Sequence, residues 1–231
     1  MVYNFFTSVL FLFYSFNGTL PKNETPVTAP AEVKTMSATQ QLYNAISAHS
    51  VTMPGYACFE KAVSGFNILK ERGKIKKDLL TVIDFSQSSN TKRLWVIDMA
   101  TQTILLNTLV AHGRNSGDEF ATSFSNADSS YKSSLGFYVT GEIYNGKHGE
   151  SLKLDGLESG LNTNARNRGV VMHAAEYVSE AFIKAHRRLG RSQGCPALPQ
   201  EITAETINLL KGKSCLFIYH PSYDTVSKIL S

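Results

Sequence analysis

Cysteine is scarce in this sequence, and its scarcity limits the kinds of site that the chain can build. The 231 residues contain three cysteines, Cys58, Cys195 and Cys215, with no CxxC pair. This pattern argues against a structural zinc site of the usual kind, and the odd number leaves at least one thiol unpaired. A Cys58–Cys215 disulfide is compatible with an exported protein, and the sequence leaves that pairing open.

Dense blocks of charge are also missing. The net charge is +4, and the basic residues are scattered rather than interleaved with aromatic ones, so we expect no nucleic-acid partner. The mild positive charge suits an acidic partner, such as an anionic surface or polymer. With 42% hydrophobic and 18% charged residues, the chain suits one globular domain with a full-sized core. We expect a monomer.

The sequence has no apolar run long enough to cross a bilayer. The run from Phe5 to Phe16 is shorter than the roughly 20 residues that a spanning helix needs, but it suits the core of a signal peptide. We therefore expect a signal peptide at 1–18, no stable membrane span, and export to the periplasm or cell envelope. No Lys or Arg precedes the run, so a buried N-terminal strand or helix is the alternative. Residues 19–37 are polar and contain three prolines, which predicts a linker.

Hydrophobic periodicity divides the rest of the chain. Residues 38–75 predict two amphipathic helices, residues 76–221 the main domain, and residues 222–231 a tail. In the main domain, short β-branched and aromatic segments predict strands, namely Leu79–Phe85, Arg93–Met99, Thr103–Val110, Gly136–Tyr144, 169–174 and Cys215–Tyr219. Two further helices are expected, at Glu180–His186 after Ser179 and at Glu201–Lys211. Between Ala111 and Asn162 we expect loops, apart from the strand that begins at Gly136.

Two residues have the local features of a nucleophile and its base. Cys195 stands in a tight turn between Gly194 and Pro196, where a buried structural thiol would be unusual. Gly194 permits a close backbone approach, which predicts that the amides of Gly194 and Cys195 form an oxyanion hole. His173 ends an apolar strand, where a histidine by itself is more often structural than catalytic. Nearby Arg188 and Arg191 would favour the thiolate.

Other polar residues have less specific patterns. His112 precedes a glycine at a strand end and either joins a cleft or shapes its own loop. Together with His148 and His173 it could bind zinc, but no HExxH or comparable motif accompanies these histidines, so we expect no metal. Asp84 and Asp98 end two strands alike, which is more typical of turn caps than of catalytic carboxylates.

The segment SQGCPALP, preceded by VVMHAAEYVS, resembles the L,D-transpeptidases of the YkuD-like superfamily. Ser192, Gln193, Gly194 and Cys195 match the family's Ser-x-Gly-Cys turn, and His173 matches its histidine. The sequence is most similar to the murein L,D-transpeptidase catalytic domain branch, through DFS, KRLWVID, VAHGRNSG, FSN, SSLGFY and GRSQGCP in the same order. The resemblance covers roughly Gly55 to Tyr219.

The resemblance implies a mainly β, sandwich- or barrel-like mixed sheet, with N-terminal helices and short helices flanking the active-site loop. It implies that Cys195 attacks peptidoglycan stem peptides to form a thioester and that His173 transfers the proton, with no metal or organic cofactor. The thioester then passes to an amine or to water. The active-site loop would comprise Ser192, Gln193 and Arg191 together with Ala174, and the facing wall of the substrate cleft would comprise His112, Ser134, Gly136 and Tyr138.

Two positions depart from the family pattern. Ala174 follows the histidine where glycine is usual, and Ala197 stands where the wider superfamily has arginine, a charge that Arg191 or Arg188 would have to supply. These departures keep open the alternative of a catalytically impaired module that binds peptidoglycan. A further alternative is a cysteine peptidase or amidase that uses the same two residues with water as acceptor.

Overall fold

A computed structural model describes residues 18, 36–47, 52–147, 149–225 and 229–230. The chain divides into two units, Met1–Thr35 and Met36–Ser231. Residues 1–17 of the expected signal peptide, most of the expected linker and His148 lie outside the described residues. No helix in the described ranges combines the length and the apolar character that a membrane span requires.

The second unit contains four α-helices, eight strands and a final 3-10 helix within its described residues. In chain order these are α1 (Ala38–Ser47), α2 (Tyr56–Glu71), β1 (Leu79–Asp84), β2 (Leu94–Asp98), β3 (Thr103–Thr108), β4 (Gly136–Gly146), β5 (Gly149–Gly156), β6 (Val171–Ala174), α3 (Glu180–His186), β7 (Ala197–Leu198), α4 (Gln200–Leu210), β8 (Cys215–Tyr219) and the 3-10 helix Pro221–Thr225. The helices predicted from periodicity are confirmed, and Ser179 caps α3 by accepting the N–H of Phe182 at 3.2 Å.

All eight strands belong to one mixed sheet, in the order β3-β2-β1-β8-β4-β5-β6-β7. The pairs β1–β8 and β6–β7 are parallel and the other neighbours are antiparallel. Two isolated bridges, Ala111↔Ala197 and Gly113↔Ser192, join the chain after β3 to the chain around β7. The two ends of the sheet therefore meet, and the expected mainly β, barrel-like fold is confirmed.

The core lies on the strands in the middle of the sheet. Every residue of β1 and of β8 is buried, which is typical of strands covered on both faces. Helix α2 packs against β1 and β8 through one apolar stripe that includes Phe59, Phe66 and Leu69. Helix α4 packs against β4, β5 and β6. The helices thus hold in place the strands that carry the candidate site.

Strand β5 falls in the region where the sequence predicts loops. Its segment GESLKLDG is mostly polar, and only Leu152 and Leu154 are fully buried hydrophobic residues. The strand is stabilised by pairing with β4 on one side and β6 on the other. Strand β4 directly precedes β5, whereas β6 lies farther along the chain. The loop prediction is wrong here because pairing with these two strands, rather than the polar local sequence, decides the conformation.

Candidate active site

The Cys195 loop immediately precedes β7 and carries a half-buried free thiol. The Sγ atom accepts the backbone N–H of Val171 at 3.4 Å, and the thiol lies 3.6 Å from the carbonyl oxygen of Gly169 as a donor. The hydroxyl of Ser192 accepts the N–H of Gly194 at 3.0 Å and donates to the carbonyl oxygen of Cys195 at 2.6 Å. Polar contacts therefore hold both the thiol and the backbone turn that carries it.

Glycine is required where the loops around Cys195 meet. Gly194 has φ +118°, and a Cβ placed on it would lie 2.7 Å from the carbonyl oxygen of Lys132. A Cβ on Gly113 would lie 2.9 Å from the Cα of Gly194 and 2.5 Å from the carbonyl oxygen of Tyr131. Three chain segments thus approach one another at backbone distance, which only glycine permits.

The two amides predicted to form an oxyanion hole differ in the structure. The N–H of Gly194 already donates to the Ser192 hydroxyl, so it is engaged within the loop. The N–H of Cys195 makes no hydrogen bond to any residue that the structure describes. Of the predicted pair, the Cys195 amide is therefore the donor that a substrate oxygen could use.

His173 lies in β6 with its ring held by the backbone. Its Nδ1 atom is 2.8 Å from the carbonyl oxygen of Ala174, and only 2% of the residue is exposed. Because a carbonyl oxygen only accepts, Nδ1 carries the proton in the neutral ring, and the lone pair is then on Nε2. Val171 and His173 are two residues apart in the strand and so share one face, and both line a cavity together with Cys195.

The departures at positions 174 and 197 have structural explanations. Ala174 is in β6 and is not among the described residues with positive φ, so its Cβ causes no backbone strain there. Its carbonyl makes the contact to His173 regardless of side chain. Ala197 is fully buried, pairs with His173 in register, and bridges to Ala111. Position 197 therefore lies where the two ends of the sheet meet, and its burial leaves no room there for a charged side chain.

The cavity beside Cys195 and His173 has a volume of about 770 Å³. Its lining is polar and rich in tyrosine and basic side chains, with Tyr131, Tyr144, Tyr177, Arg114, Lys147, Arg168 and Arg191 among them. Ser192 and Gln193 also line it, as the sequence predicts for the active-site loop. A cavity of this size suits a short peptide or a drug-sized ligand.

Burial dominates the titration of Cys195 and raises the pKa of its thiol. The N–H of Val171 and the charges of Arg168 and Lys147 act in the opposite direction and lower that pKa. The arginines predicted for this role are placed otherwise. Arg191 lines the cavity but binds the carboxylate of Asp118 at 2.6 Å, and Arg188 donates to its neighbour's carbonyl and is not part of the lining.

Arg168 is one of the site residues that sequence reasoning missed. One of its terminal nitrogens donates to the carbonyl oxygen of Ser125 at 2.9 Å and to the hydroxyl of Ser134 at 2.6 Å. The other donates to the carbonyl oxygen of Lys132 at 2.7 Å. Arg168 therefore ties the segment around Lys132 to the approach of β6. Its position shortly before β6, the strand that carries His173, is the only local signal.

The four residues predicted for the facing cleft wall do not line this cavity. His112, Ser134 and Tyr138 are at most 1% exposed, and Gly136 is buried at the start of β4. The Tyr138 hydroxyl donates to the carbonyl of Ser134 at 2.9 Å. These four residues are therefore buried within the fold rather than exposed to the cavity.

His112 supports the Cys195 loop from below. Its Nδ1 accepts from Arg93 at 2.8 Å, and its Nε2 lies 3.3 Å from the carbonyl oxygen of Gly117. Its own carbonyl accepts the N–H of Ser192 at 2.9 Å. Burial, followed by the positive charge of Arg93, lowers the pKa of His112 to about 4. The neutral ring is thus held within its own loop. Of the two roles that the sequence left open, joining a cleft or shaping its loop, His112 has the second.

The remaining polar residues and cysteines have structural roles. Asp84 accepts from the backbone N–H of Ser86, and Asp98 from that of Ala100, so both carboxylates cap turns as expected. Cys58 and Cys215 are buried free thiols. Among the described residues, no group of three or more His, Cys, Asp or Glu side chains is arranged to hold a metal ion.

The family comparison agrees with this architecture. The L,D-transpeptidase catalytic domain family matches residues 51–219, and the chain belongs to that family. The match includes α2 as well as the complete sheet. Comparison with curated proteins finds no match.

Several solved structures are similar over part of the chain. An L,D-transpeptidase from Mycobacterium smegmatis has a TM-score of 0.40 and 11% identity, over 62% of this chain and 59% of that one. One from Stackebrandtia nassauensis has a TM-score of 0.37 and 13% identity, over 78% and 89%. L,D-transpeptidase 1 from Mycobacterium tuberculosis has a TM-score of 0.34 and 13% identity, over 62% of each chain. The chain therefore spans less than two thirds of the length of the first of these proteins.

Proposed function

We propose that the protein is a cysteine acyltransferase that acts on peptidoglycan stem peptides in the cell envelope. The observation that carries the proposal is the 2.8 Å contact between His173 Nδ1 and the Ala174 carbonyl, in a cavity shared with Cys195. It gives His173 the tautomer of a general base beside a free thiol. Family membership supports peptidoglycan as the substrate class, and the apolar run at Phe5–Phe16 supports export.

In the first step, the Sγ of Cys195 attacks the carbonyl carbon of the third stem residue. Because burial raises the pKa of Cys195, the resting group is a thiol, and its proton passes to Nε2 of His173 as the S–C bond forms. The carbonyl oxygen becomes an oxyanion that accepts the N–H of Cys195. The C–N bond then breaks, His173 returns the proton to the departing amine of the fourth residue, and a thioester remains.

In the second step, an acceptor attacks the thioester carbon while His173 takes its proton. An amine from another stem gives a new amide and a cross-link, and water gives a free carboxylate and a shortened stem. The S–C bond breaks in both cases, and the sulfur recovers a proton as the free thiol. Muropeptide analysis after incubation with sacculi distinguishes the two acceptors, since new three-to-three cross-links indicate transfer and trimmed stems alone indicate hydrolysis.

Intact-mass spectrometry with a carbapenem tests the nucleophile. A β-lactam carbonyl is an acylating agent, so the wild-type protein should gain one adduct mass and Cys195→Ala none. His173→Gln should form the adduct roughly a hundredfold to ten-thousandfold more slowly, because the base is lost. Cys58→Ala is the matched control, since that thiol is buried in α2. An adduct that persists in folded Cys195→Ala would falsify the assignment.

A peptidoglycan-binding module without turnover is the competing hypothesis, motivated by the missing arginine at Ala197. It predicts that the protein binds isolated sacculi while their muropeptide composition stays unchanged and Cys195 gains no adduct. The unstrained backbone at Ala174 removes the other sequence feature that favoured this hypothesis.

A further inference from the structure

We propose that Arg114 and Tyr131 form a subsite that binds a carboxylate of the stem peptide; this rests on the proposed function. The juxtaposition is direct. The guanidinium carbon of Arg114 lies 4.0 Å from the centroid of the Tyr131 ring, and both side chains line the cavity that contains Cys195. A stacked guanidinium keeps its N–H edge free for an in-plane acceptor.

Arg114 differs from the other two arginines of the cavity because its guanidinium N–H groups are not engaged by any residue that the structure describes. Its side chain makes no ion pair or hydrogen bond with any residue that the structure describes. The terminal nitrogens of Arg168 donate hydrogen bonds to Ser125, Ser134, Ser130 and Lys132. Arg191 forms an ion pair with Asp118. The guanidinium of Arg114 is thus positioned by the Tyr131 ring, and its charge is not paired with any residue that the structure describes.

The backbone of Arg114 is anchored to the Cys195 loop, and the backbone of Tyr131 is anchored to the residue that follows Arg114. The N–H of Arg114 donates to the carbonyl of Ser192 at 2.8 Å, and the carbonyl of Tyr131 accepts the N–H of Asn115 at 3.1 Å. Tyr131 has φ 54°, an uncommon value for a bulky residue. Strain of this kind persists where the surroundings enforce it, and it is concentrated at binding sites. The subsite is therefore preorganised at a set position relative to the nucleophile.

A carboxylate is the ligand that this arrangement fits. The guanidinium fork accommodates two carboxylate oxygens at once, and charge-assisted bidentate contacts are among the strongest hydrogen bonds. A stem peptide has two candidate groups near the scissile bond, namely the terminal carboxylate of the departing residue and the carboxylate that some diamino acids carry on their side chain. Lys147 is the other cation of the cavity that has no partner among the described residues, but it is exposed in the β4–β5 turn and carries a point charge rather than a planar fork.

Binding measured in the Cys195→Ala protein tests the subsite without any need for turnover. Titration calorimetry compares three synthetic tetrapeptides, with both carboxylates free, with the terminal one amidated, and with the side-chain one amidated. We expect one of the amides to bind about tenfold to a hundredfold more weakly than the acid, and the identity of that amide assigns the carboxylate. Adding Arg114→Gln should weaken binding of the peptide with both carboxylates free by the same factor. It should not change the affinity of the amidated peptide that already binds more weakly.

Two further variants separate recognition from general damage. Tyr131→Phe keeps the stacked ring and should keep the discrimination between acid and amide, and Lys147→Gln should weaken all three peptides by a common factor. The proposal is overturned if no peptide binds, if neither amidation weakens binding, or if Arg114→Gln retains the discrimination. Failure of the acyltransferase mechanism is a different result, since it appears as a missing carbapenem adduct on wild-type protein.

Discussion

The hydroxyl of Ser192 donates to the carbonyl of Cys195 at 2.6 Å, across the turn that carries the proposed nucleophile. The same oxygen accepts the N–H of Gly194 at 3.0 Å, and the residue is 5% exposed. One side chain thus satisfies both backbone groups that flank the thiol. Ser192 therefore acts as a positioning residue, and the serine of the family turn has a physical reason.

Ser192→Ala should slow acylation without removing it. The substitution leaves the Gly194 N–H and the Cys195 carbonyl without their partner, which costs about 1–3 kcal/mol of folding stability. A loosened nucleophile should acylate roughly tenfold to a hundredfold more slowly. Stopped-flow monitoring of the carbapenem reaction gives the rate, and chemical denaturation gives the stability. Ser192→Thr retains a hydroxyl and should recover part of the rate, so an equal loss in both variants would contradict this role.

Arg168→Gln should shift the pH dependence of Cys195 reactivity upward. The positive charge of Arg168 lowers the pKa of the thiol, whereas burial raises it. Removing that charge should therefore raise the pKa further and reduce the fraction of thiolate at neutral pH. Alkylation by iodoacetamide at pH 7–8 should be roughly threefold to tenfold slower, with the same limiting rate at high pH.

Arg166→Gln is the matched control for that experiment. Arg166 lies two positions away, pairs at the surface with Asp155 and Glu142, and does not line the cavity. Its replacement should leave the alkylation profile in place. A profile that stays unchanged in Arg168→Gln, or a rate that falls equally at every pH, would show that Arg168 acts only on structure.

The buried His112 should cause the free energy of unfolding to fall as the pH drops into the mildly acidic range. Its folded-state pKa of about 4 is below the ordinary 6.5, so the unfolded chain binds the proton more readily. The stabilising contribution is fully present above about pH 6.5 and is lost as the pH falls toward about 4. The full effect is about 3 kcal/mol.

His112→Asn provides the comparison, because asparagine offers an acceptor near the position of Nδ1 and does not titrate. Denaturation at several pH values between 7 and 4 should show a shallower loss of stability for the variant than for the wild type. Equal slopes in the two proteins would mean that the buried ring is not the group responsible.

The proposed nucleophile and base could be singled out from the sequence because their signals are local. A cysteine between glycine and proline, and a histidine at the end of an apolar strand, stay in those environments whatever the rest of the chain does. Strands β1, β2 and β8 were found for a similar reason, since their apolar character is continuous. Membership of the family, suggested by several motifs in order, is confirmed by the match over residues 51–219.

The surroundings of that pair depend on contacts between distant segments, which no window of sequence contains. Arg168 acts through carbonyls more than 30 positions earlier. His112 and Tyr138 lie in segments that resemble family motifs, yet both side chains are buried and do not line the cavity. The Gly194 amide was assigned to an oxyanion, but the hydroxyl of Ser192 is nearer in the folded turn. Each error has the same origin, in that closure of the barrel selects the partners.

Ala174→Gly restores the residue that the family usually has, and it should bring no gain in activity. Ala174 is paired in β6 without positive φ, and the group that orients His173 is its backbone carbonyl, which glycine also supplies. The larger conformational entropy of glycine in the unfolded chain should lower stability by about 0.5–1 kcal/mol. Thermal denaturation measures that loss, and the carbapenem adduct rate should stay within about twofold of wild type, since a twofold change corresponds to well under 1 kcal/mol. A large increase in that rate would mean that the alanine side chain, and not only its carbonyl, restrains the imidazole, and the competing hypothesis of an impaired enzyme would regain support.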